Sequence, residues 1–584
     1  MSHKKQRLFY LTPAILLVTI LLLGIFLRFG NLGQKVFWVD EVATAVRVSG
    51  YTIPQVTSEL AQQDIFDKDR LLSYQTISPD KTFKDTIAAL TKSPEHAPLY
   101  FILTRLWMQL WGNSITVIRS LSAFISLLVF PCLYWLCQEL FAIPFVSWLA
   151  IGLIGISPFY IAYAQEARPY SLWTVTILLT SAAFLRAVRL NRKQSWLLYC
   201  LCLIISFYTS LFSIYIAIFQ GIYLLISSNK IKFKLIKNYL IYSGIATLAF
   251  SPWILVIFNH LDLLQENTSW MRGNFNWADI TAVFIGANLL IFGDLPISQN
   301  SNPIQIAVIL IIFVVAVLTA LKIYQRYQSK LLKLALLLTF VSSIIIVSSY
   351  IYLDWITIIG ALVAICILSL SIYSLYYLIA NTRRDRWGLI LSLMLSLPVP
   401  LVLIDIINQG QGSTAPRYLI PLQLGILIAV SYTLASKLTI SKQPQLWKLT
   451  IIAFLMLGSL SNIRNFNLSP FYQKGRNINN IAIAKIINQS HTALLIVEAD
   501  EAMDVISLAY SLNPAVKYKV INSETNLSKY IRSFENTYLL KPSPKLLQKL
   551  QENSQLNLNK LYKSHVFSAD EFPLDLWGIK IKNN

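Results

Sequence analysis

Residues 9–30 read FYLTPAILLVTILLLGIFLRFG. An apolar run of about 20 residues is what a helix needs to cross the hydrocarbon core of a bilayer, and the reading of this run decides the fold. Just beyond it comes VFWVDEVATAV (36–46), where Asp40 and Glu41 stand side by side behind Phe37 and Trp38. Ionisable acids are costly at the edge of a spanning segment, and an aromatic collar marks headgroup level. The basic start MSHKKQR resembles a signal peptide. The run that follows is long and lacks a clear small-residue cleavage site, so it reads as a retained first helix.

Composition extends this reading to the whole chain. Of 584 residues, 55% are hydrophobic and 13% charged, with a mean hydropathy of +0.56. A soluble protein is roughly a quarter charged, so this is a polytopic α-helical membrane protein. The net charge of +21 does not point to nucleic acid. Its Lys and Arg residues sit in short clusters between apolar runs, where they set membrane orientation. The five Cys (132, 137, 200, 202 and 366) all lie inside apolar runs and read as buried hydrophobes, with no metal site or disulfide framework.

Candidate spans fall at 9–28, 120–140, 144–163, 170–188, 195–210, 212–228, 239–258, 304–321, 332–351, 356–379, 388–406, 418–436 and 449–464, about 13 in all. Basic clusters test the count. Lys4/Lys5/Arg7, Arg186–Lys193, Lys230–Lys237, Lys322–Lys333, Arg383–Arg386 and Lys437–Lys448 then all share one side with the N-terminus, which the positive-inside rule makes the cytoplasm. The segment APLYFILTRLWMQLW (97–111) is apolar but short and interrupted by Arg105. Spanning there would flip every later cluster, so it is expected to lie in the outer interface as an amphipathic helix.

The outer side then holds the loop 29–119, the turn at 157–173, the loop 259–303, the loop 408–421 and the tail from about 465. Asp40 is expected to be partly desolvated, with a raised pKa suited to a general base. Glu95 and His96 precede Pro98 and read as substrate or metal contacts. YAQEARPY (163–170) packs Glu166 and Arg168 between Tyr163 and Tyr170. Arg168, with its planar fork of donors, suits a phosphate. Arg417 and Tyr418 open a late span at its outer end, where the inside bias disfavours Arg. Carboxylates for base chemistry and guanidiniums for an anion fit transfer from a membrane-anchored phosphate donor.

The stretches WVDE, EHAPLYFILTRLW, GNSITVIRSLSA, SPFYIAYAQEARPYSL and PRYLIPL resemble membrane glycosyltransferases of the GT-C fold. The similarity is to the family 39-like bacterial relatives of protein O-mannosyltransferases and of the lipid A aminoarabinose transferase. It covers about residues 9–180 well and 415–436 more weakly. The resemblance implies a polyprenyl-phosphate-linked sugar donor (hexosyl or pentosyl), inversion at the anomeric carbon, and a site facing the periplasm of a bacterial inner membrane. It implies Asp40 as base with Glu41 supporting it. It also implies that Glu95 and His96 lie near the donor or a divalent cation, and that Arg168 and Arg417 hold the lipid phosphate. The family's His-Pro-Pro reads here His96-Ala97-Pro98. Metal dependence varies in the class and stays open, as does the acceptor: lipid, glycan or protein.

From about 465 hydropathy falls. TALLIVEAD (492–500), VKYKVI, NTYLLKPS and DLWGIKIK read as strands, and EAMDVISLAYSL and PKLLQKLQE as helices. The expected organisation is a transmembrane domain, 1–464, carrying the catalytic loop 29–119, and a periplasmic α/β domain, 465–584. A transporter or flippase would place its charges at midspan. A polymerase or ligase of lipid-linked saccharides would carry its large external loop late in the chain. The charges here gather at one edge and the large loop comes first.

Overall fold

The computed structural model describes residues 17–227, 233–295, 355–468, 475–522, 527–531, 533–553, 555–564 and 574–581. The spans expected at 304–321 and 332–351 lie outside the described residues. Among the described residues seven helices are long and apolar enough to cross a membrane: Ile115–Phe141, Tyr170–Leu190, Phe233–Asn259, Ile359–Asn381, Arg384–Asn408, Pro416–Ile440 and Pro444–Phe466. Pro144–Gly155 and Pro158–Ala164 are an apolar pair bent by 64°, which together have the length and composition of an eighth span. Leu17–Phe29, Lys193–Thr209 and Ser213–Ile226 are shorter apolar helices. The chain is thus a helical multi-pass membrane protein with a small mixed sheet near its C-terminus.

The bend has a local cause. Pro158 cannot donate a backbone hydrogen bond and restricts Ser157 before it. The carbonyls stranded at the end of the first half accept from a buried cation instead: Arg28 donates to Gly155 O at 2.5 Å and to Ile154 O at 3.1 Å. A guanidinium at a helix C-terminus also meets the negative end of its dipole.

Hydrogen bonds between connecting segments sort the helix ends into two faces. On one, Arg189 pairs with Glu139 at 2.9 Å, Asn238 donates to Asn191 at 2.9 Å and Tyr223 to Asp385 O at 2.9 Å. This face carries the basic clusters around 189, 383 and 442. On the other, Asn31 donates to Phe466 O at 3.0 Å, Arg168 meets Asp40 at 3.8 Å and Gln411 N donates to Met271 O at 2.9 Å. The apolar helix Trp277–Phe292 was not expected from the sequence. Its two flanks are both tied to the Asp40 face, one through Met271, the other through Asp294, which accepts from Asn465 at 2.6 Å and Arg464 at 3.1 Å. It therefore enters and leaves on one side and does not disturb the parity of the basic clusters.

Leu99–Trp111 has 13 residues, about 20 Å of helix, too short to span. Leu110 and Trp111 are exposed at its rim. Arg105 turns the other way and is buried, donating to Val48 O at 2.9 Å, Thr86 Oγ1 at 2.7 Å and Lys81 O at 2.6 Å. The charge that interrupts the apolar run thus fastens the helix to the first loop.

Among the described residues the sheet has six strands in the order β1-β3-β2-β4-β6-β5: β1 Phe66–Asp67, β2 Ala493–Glu498, β3 Lys517–Ile521, β4 Asn536–Leu540, β5 Leu556–Tyr562 and β6 Leu576–Ile581. β2 pairs parallel with β3 and β4, and the other pairs are antiparallel. Strand alternation sends Ala493, Leu495 and Val497 into the large core shared with the helix Ala502–Ala509 and the membrane helices. Leu494 and Ile496 point to a second core with Leu546 and Leu550. β5 and β1 were not anticipated. β5 is mostly exposed and polar in pattern. β1 belongs to the first loop, so that loop and the tail share one sheet.

Candidate active site

The site is built on the helix Val39–Val48. Helical spacing i, i+4, i+7 puts Asp40, Thr44 and Arg47 on one stripe. Arg168, in the turn between two spans, reaches that stripe: its Nη2 is 3.8 Å from Asp40 Oδ2 and its Nη1 donates to Thr44 Oγ1 at 3.2 Å. Arg47 donates from Nε to Ser93 Oγ at 2.8 Å and lies 3.9 Å from Glu95. Burial lowers its pKa to about 10, with Glu95 opposing and Arg168 adding to the fall. His96 Nε2 is 3.5 Å from Glu95, and its ring packs on Phe101 at 5.3 Å. Burial, then the charges of Arg47, Arg168 and Arg417, push the imidazole well below its ordinary value, so it is neutral at pH 7. His96 thus lies within electrostatic reach of three guanidiniums.

Aromatic rings wall this cluster. Arg417 lies over Trp270 at 5.5 Å and Tyr418 at 5.2 Å, and Arg168 over Tyr170 at 5.9 Å. Tyr163 packs edge-on against Tyr170 at 5.1 Å, and Tyr418 against Phe212 at 4.6 Å. The loop 409–415 that delivers Arg417 is folded by buried Asp405, which accepts from Gly412 N at 2.7 Å and Ser413 N at 2.6 Å. Among the described residues, the Nε atoms of Arg168 and Arg417 are buried without a protein partner. Buried guanidiniums left short of acceptors are suited to an anion.

The two acids of the opening motif part company. Asp40 is 30% exposed and faces the cluster. Glu41 lies about 100° round the helix and is 1% exposed. It accepts from Arg119 Nε at 2.8 Å and Nη2 at 2.6 Å, and from Ala167 N at 2.8 Å. Arg119 also donates to the carbonyls of Leu32, Lys35 and Val36. Glu41, expected to support Asp40, does so from outside the cluster: its oxygens fasten the loop to the turn 165–169. Glu166 is also buried, accepting from Trp38 Nε1 at 3.2 Å.

Sequence reasoning brought no role to Arg47, Thr44, Arg119 or Trp270. The first two were findable, since DEVATAVR places them four and seven residues after Asp40. Among the described residues no three His, Cys, Asp or Glu side chains gather as a metal-ligand group. Glu95 and His96 stand among guanidiniums, and that donor set fits an anion rather than a divalent cation.

Comparison with known proteins bears on residues 95–256, which match the family model described as dolichyl-phosphate-mannose-protein mannosyltransferase. The resemblance read from the sequence is borne out over that segment. It contains His96, Arg119, Glu166 and Arg168. Among solved structures, ArnT from Cupriavidus metallidurans is similar in two states. Bound to undecaprenyl phosphate it is 10% identical, with 97% of each chain covered and a TM-score of 0.39. In the apo state it is 10% identical, with 97% of this chain and 98% of that chain covered and a TM-score of 0.42. No curated protein matches the chain.

Proposed function

We propose that this protein is an inverting glycosyltransferase that moves a sugar from a polyprenyl-phosphate carrier to an acceptor hydroxyl at the non-cytoplasmic face of a bacterial plasma membrane. One observation carries the reading: a half-buried carboxylate, Asp40, borders a cluster of three guanidiniums, Arg47, Arg168 and Arg417, at one membrane face. The family matched over residues 95–256 is named for a polyprenyl-phosphate sugar, which supports the same donor class. The basic clusters on the opposite face support a cytoplasmic N-terminus and a periplasmic C-terminal region.

In this mechanism the acceptor oxygen attacks the anomeric carbon as the bond from that carbon to the phosphate oxygen breaks. A single displacement inverts the centre. Asp40 takes the hydroxyl proton. The carrier leaves as a phosphate monoester, and its charge grows by one against Arg47, Arg168 and Arg417, which stabilise it without supplying a proton. Tyr163, Tyr170, Tyr418 and Trp270 offer faces for the sugar and exclude water. His96, neutral, holds Glu95 in place beside Arg47.

The test is a donor screen. Purified protein in lipid is given undecaprenyl-phosphate hexoses and pentoses with candidate lipid, glycan and peptide acceptors, and products are read by mass. Sugar transfer from the lipid phosphate supports the proposal. Transfer that persists unchanged in Asp40→Asn, or transport of intact donor without transfer, overturns it.

A further inference from the structure

The helix that carries Asp40 begins without a cap of its own. Trp38 stands at the N-cap position and makes no side-chain cap, and the first N–H groups of a helix are otherwise orphans. The missing acceptor comes from far along the chain. Asn477 Oδ1 accepts from Val39 N at 2.8 Å, and Asn477 is fully buried. Its Nδ2 donates to Asp504 Oδ1 at 3.1 Å. Asp504 is in turn held by Arg476, through Nη2 at 2.7 Å and Nε at 3.1 Å.

Neighbouring contacts repeat the pattern. Ser507 Oγ donates to Phe37 O at 2.6 Å, and Asn480 donates to Ser507 Oγ at 2.9 Å. Tyr510 packs edge-on against Phe37 at 5.4 Å. Arg476 lies close enough for its charge to feel Asp40. Asn477, Asp504 and Ser507 all find partners, while Asn480 Oδ1 is buried without one among the described residues; buried hydrogen-bond networks fix geometry.

We propose that the C-terminal region acts as a positioning device for the base: Asn477, oriented by Asp504 and Arg476, sets the first turn of the Asp40 helix. The inference rests on the proposed reading of Asp40. Asn477 and Asp504 are positioning residues, since they reach the chemistry only through the helix they cap. Arg168 and Arg417 hang from other segments, and Arg47 lies in the last turn of the helix, away from the capped end, so the cap bears on Asp40 more than on the anion cluster.

The experiment uses the full chain in nanodiscs. Asn477→Ala and the exchanged pair Asn477→Asp/Asp504→Asn are compared with wild type. The exchanged pair keeps an acceptor for Val39 N–H and a donor–acceptor contact between positions 477 and 504. Amide hydrogen exchange over residues 37–44 is expected to quicken at least tenfold in Asn477→Ala and to return toward wild type in the exchanged pair. Binding of undecaprenyl phosphate, the probe for the anion cluster, is expected to stay within about twofold. Turnover with any donor that wild type accepts is expected to fall about tenfold or more, toward the ~100-fold that a 1 Å misplacement costs, with half-saturating donor concentration unchanged.

Unaltered exchange at residues 37–44 in Asn477→Ala overturns the proposal whatever the activity. So does quickened exchange with full turnover, or a loss confined to donor binding. If wild type transfers no donor sugar, the functional reading falls, and the exchange data still decide whether Asn477 anchors the helix.

Discussion

Replacing the adjacent acids one at a time separates chemistry from architecture. Glu41→Gln removes a carboxylate that is 1% exposed and leaves Arg119, 3% exposed, with a buried charge and only carbonyl partners. Breaking a buried pair from one side costs about 3–5 kcal/mol. Asp40→Asn gives up a 3.8 Å contact to Arg168 at a site 30% open to solvent, worth less than about 1 kcal/mol. Catalysis should show the reverse order. A general base contributes roughly 10²–10⁴ in rate, or about 3–5 kcal/mol of barrier, and Asp40→Asn should lose that much in single-turnover transfer. Unfolding of a membrane protein in detergent is read as a rate-dependent midpoint, so both variants are heated at one scan rate. Glu41→Gln should unfold many degrees early, and Asp40→Asn alongside wild type. A stable Glu41→Gln, or an active Asp40→Asn, refutes the division of roles.

Other expectations follow from the same geometry. Arg47→Gln should weaken undecaprenyl phosphate binding by about tenfold, the ~1.4 kcal/mol expected of one charge-assisted contact; unchanged binding removes Arg47 from the anion site. His96 is held neutral by burial and by Arg47, Arg168 and Arg417, so an anion seated among those guanidiniums should raise its pKa, visible as a shift in the imidazole NMR titration. Its depressed value also sets the sign of a stability term. The unfolded chain binds a proton at His96 below about pH 6.5 and the folded chain does not, so stability falls as pH drops through that value, and His96→Asn should flatten that part of the pH–stability curve. Thiols placed at Asn408 and Gln194, after replacement of the five native Cys, should react from outside the cell and from the cytosol respectively.

Much of the architecture was legible because hydropathy and charge parity report on the bilayer directly. The spans Tyr170–Leu190 and Pro444–Phe466 were bounded to within a few residues, and parity kept 97–111 out of the membrane. The helix Trp277–Phe292 was missed because it has 16 residues, carries Asp279 in its first turn and is followed by Asp294, so no span-length window isolates it. In the tail, strands with continuous apolar cores were visible, but β5 reads LNLNKLY, an edge pattern with little to bury. β1 could not be read at all: two residues become a strand only because the tail lies beside them. The site was legible in part. Asp40, His96, Arg168 and Arg417 stood out as polar groups among aromatics. The split between Asp40 and Glu41 did not, because adjacency in sequence hides the 100° that separates neighbours on a helix.

The charges around His96 explain why that arrangement suits the proposed reaction. Arg47, Arg168 and Arg417 contribute three positive charges there, and Asp40 and Glu95, in contact with two of them, contribute two negative ones. Arg119 is already neutralised by Glu41. Glu166 adds a further carboxylate felt by Arg168, and Arg476 a further cation that feels Asp40; a phosphodiester donor brings one negative charge to this group. On transfer the carrier departs with two negative charges, while Asp40 becomes neutral by accepting the acceptor's proton. The sum does not change. A low-dielectric site penalises any step that creates net charge, and here proton uptake and phosphate release cancel within one cluster. That cancellation requires the base to sit inside the guanidinium cluster and its neighbouring carboxylate to be withdrawn from it. A second free acid at position 41 would add negative charge beside the phosphate and oppose its binding, so the buried Arg119 pair is a condition of the chemistry as well as of the fold.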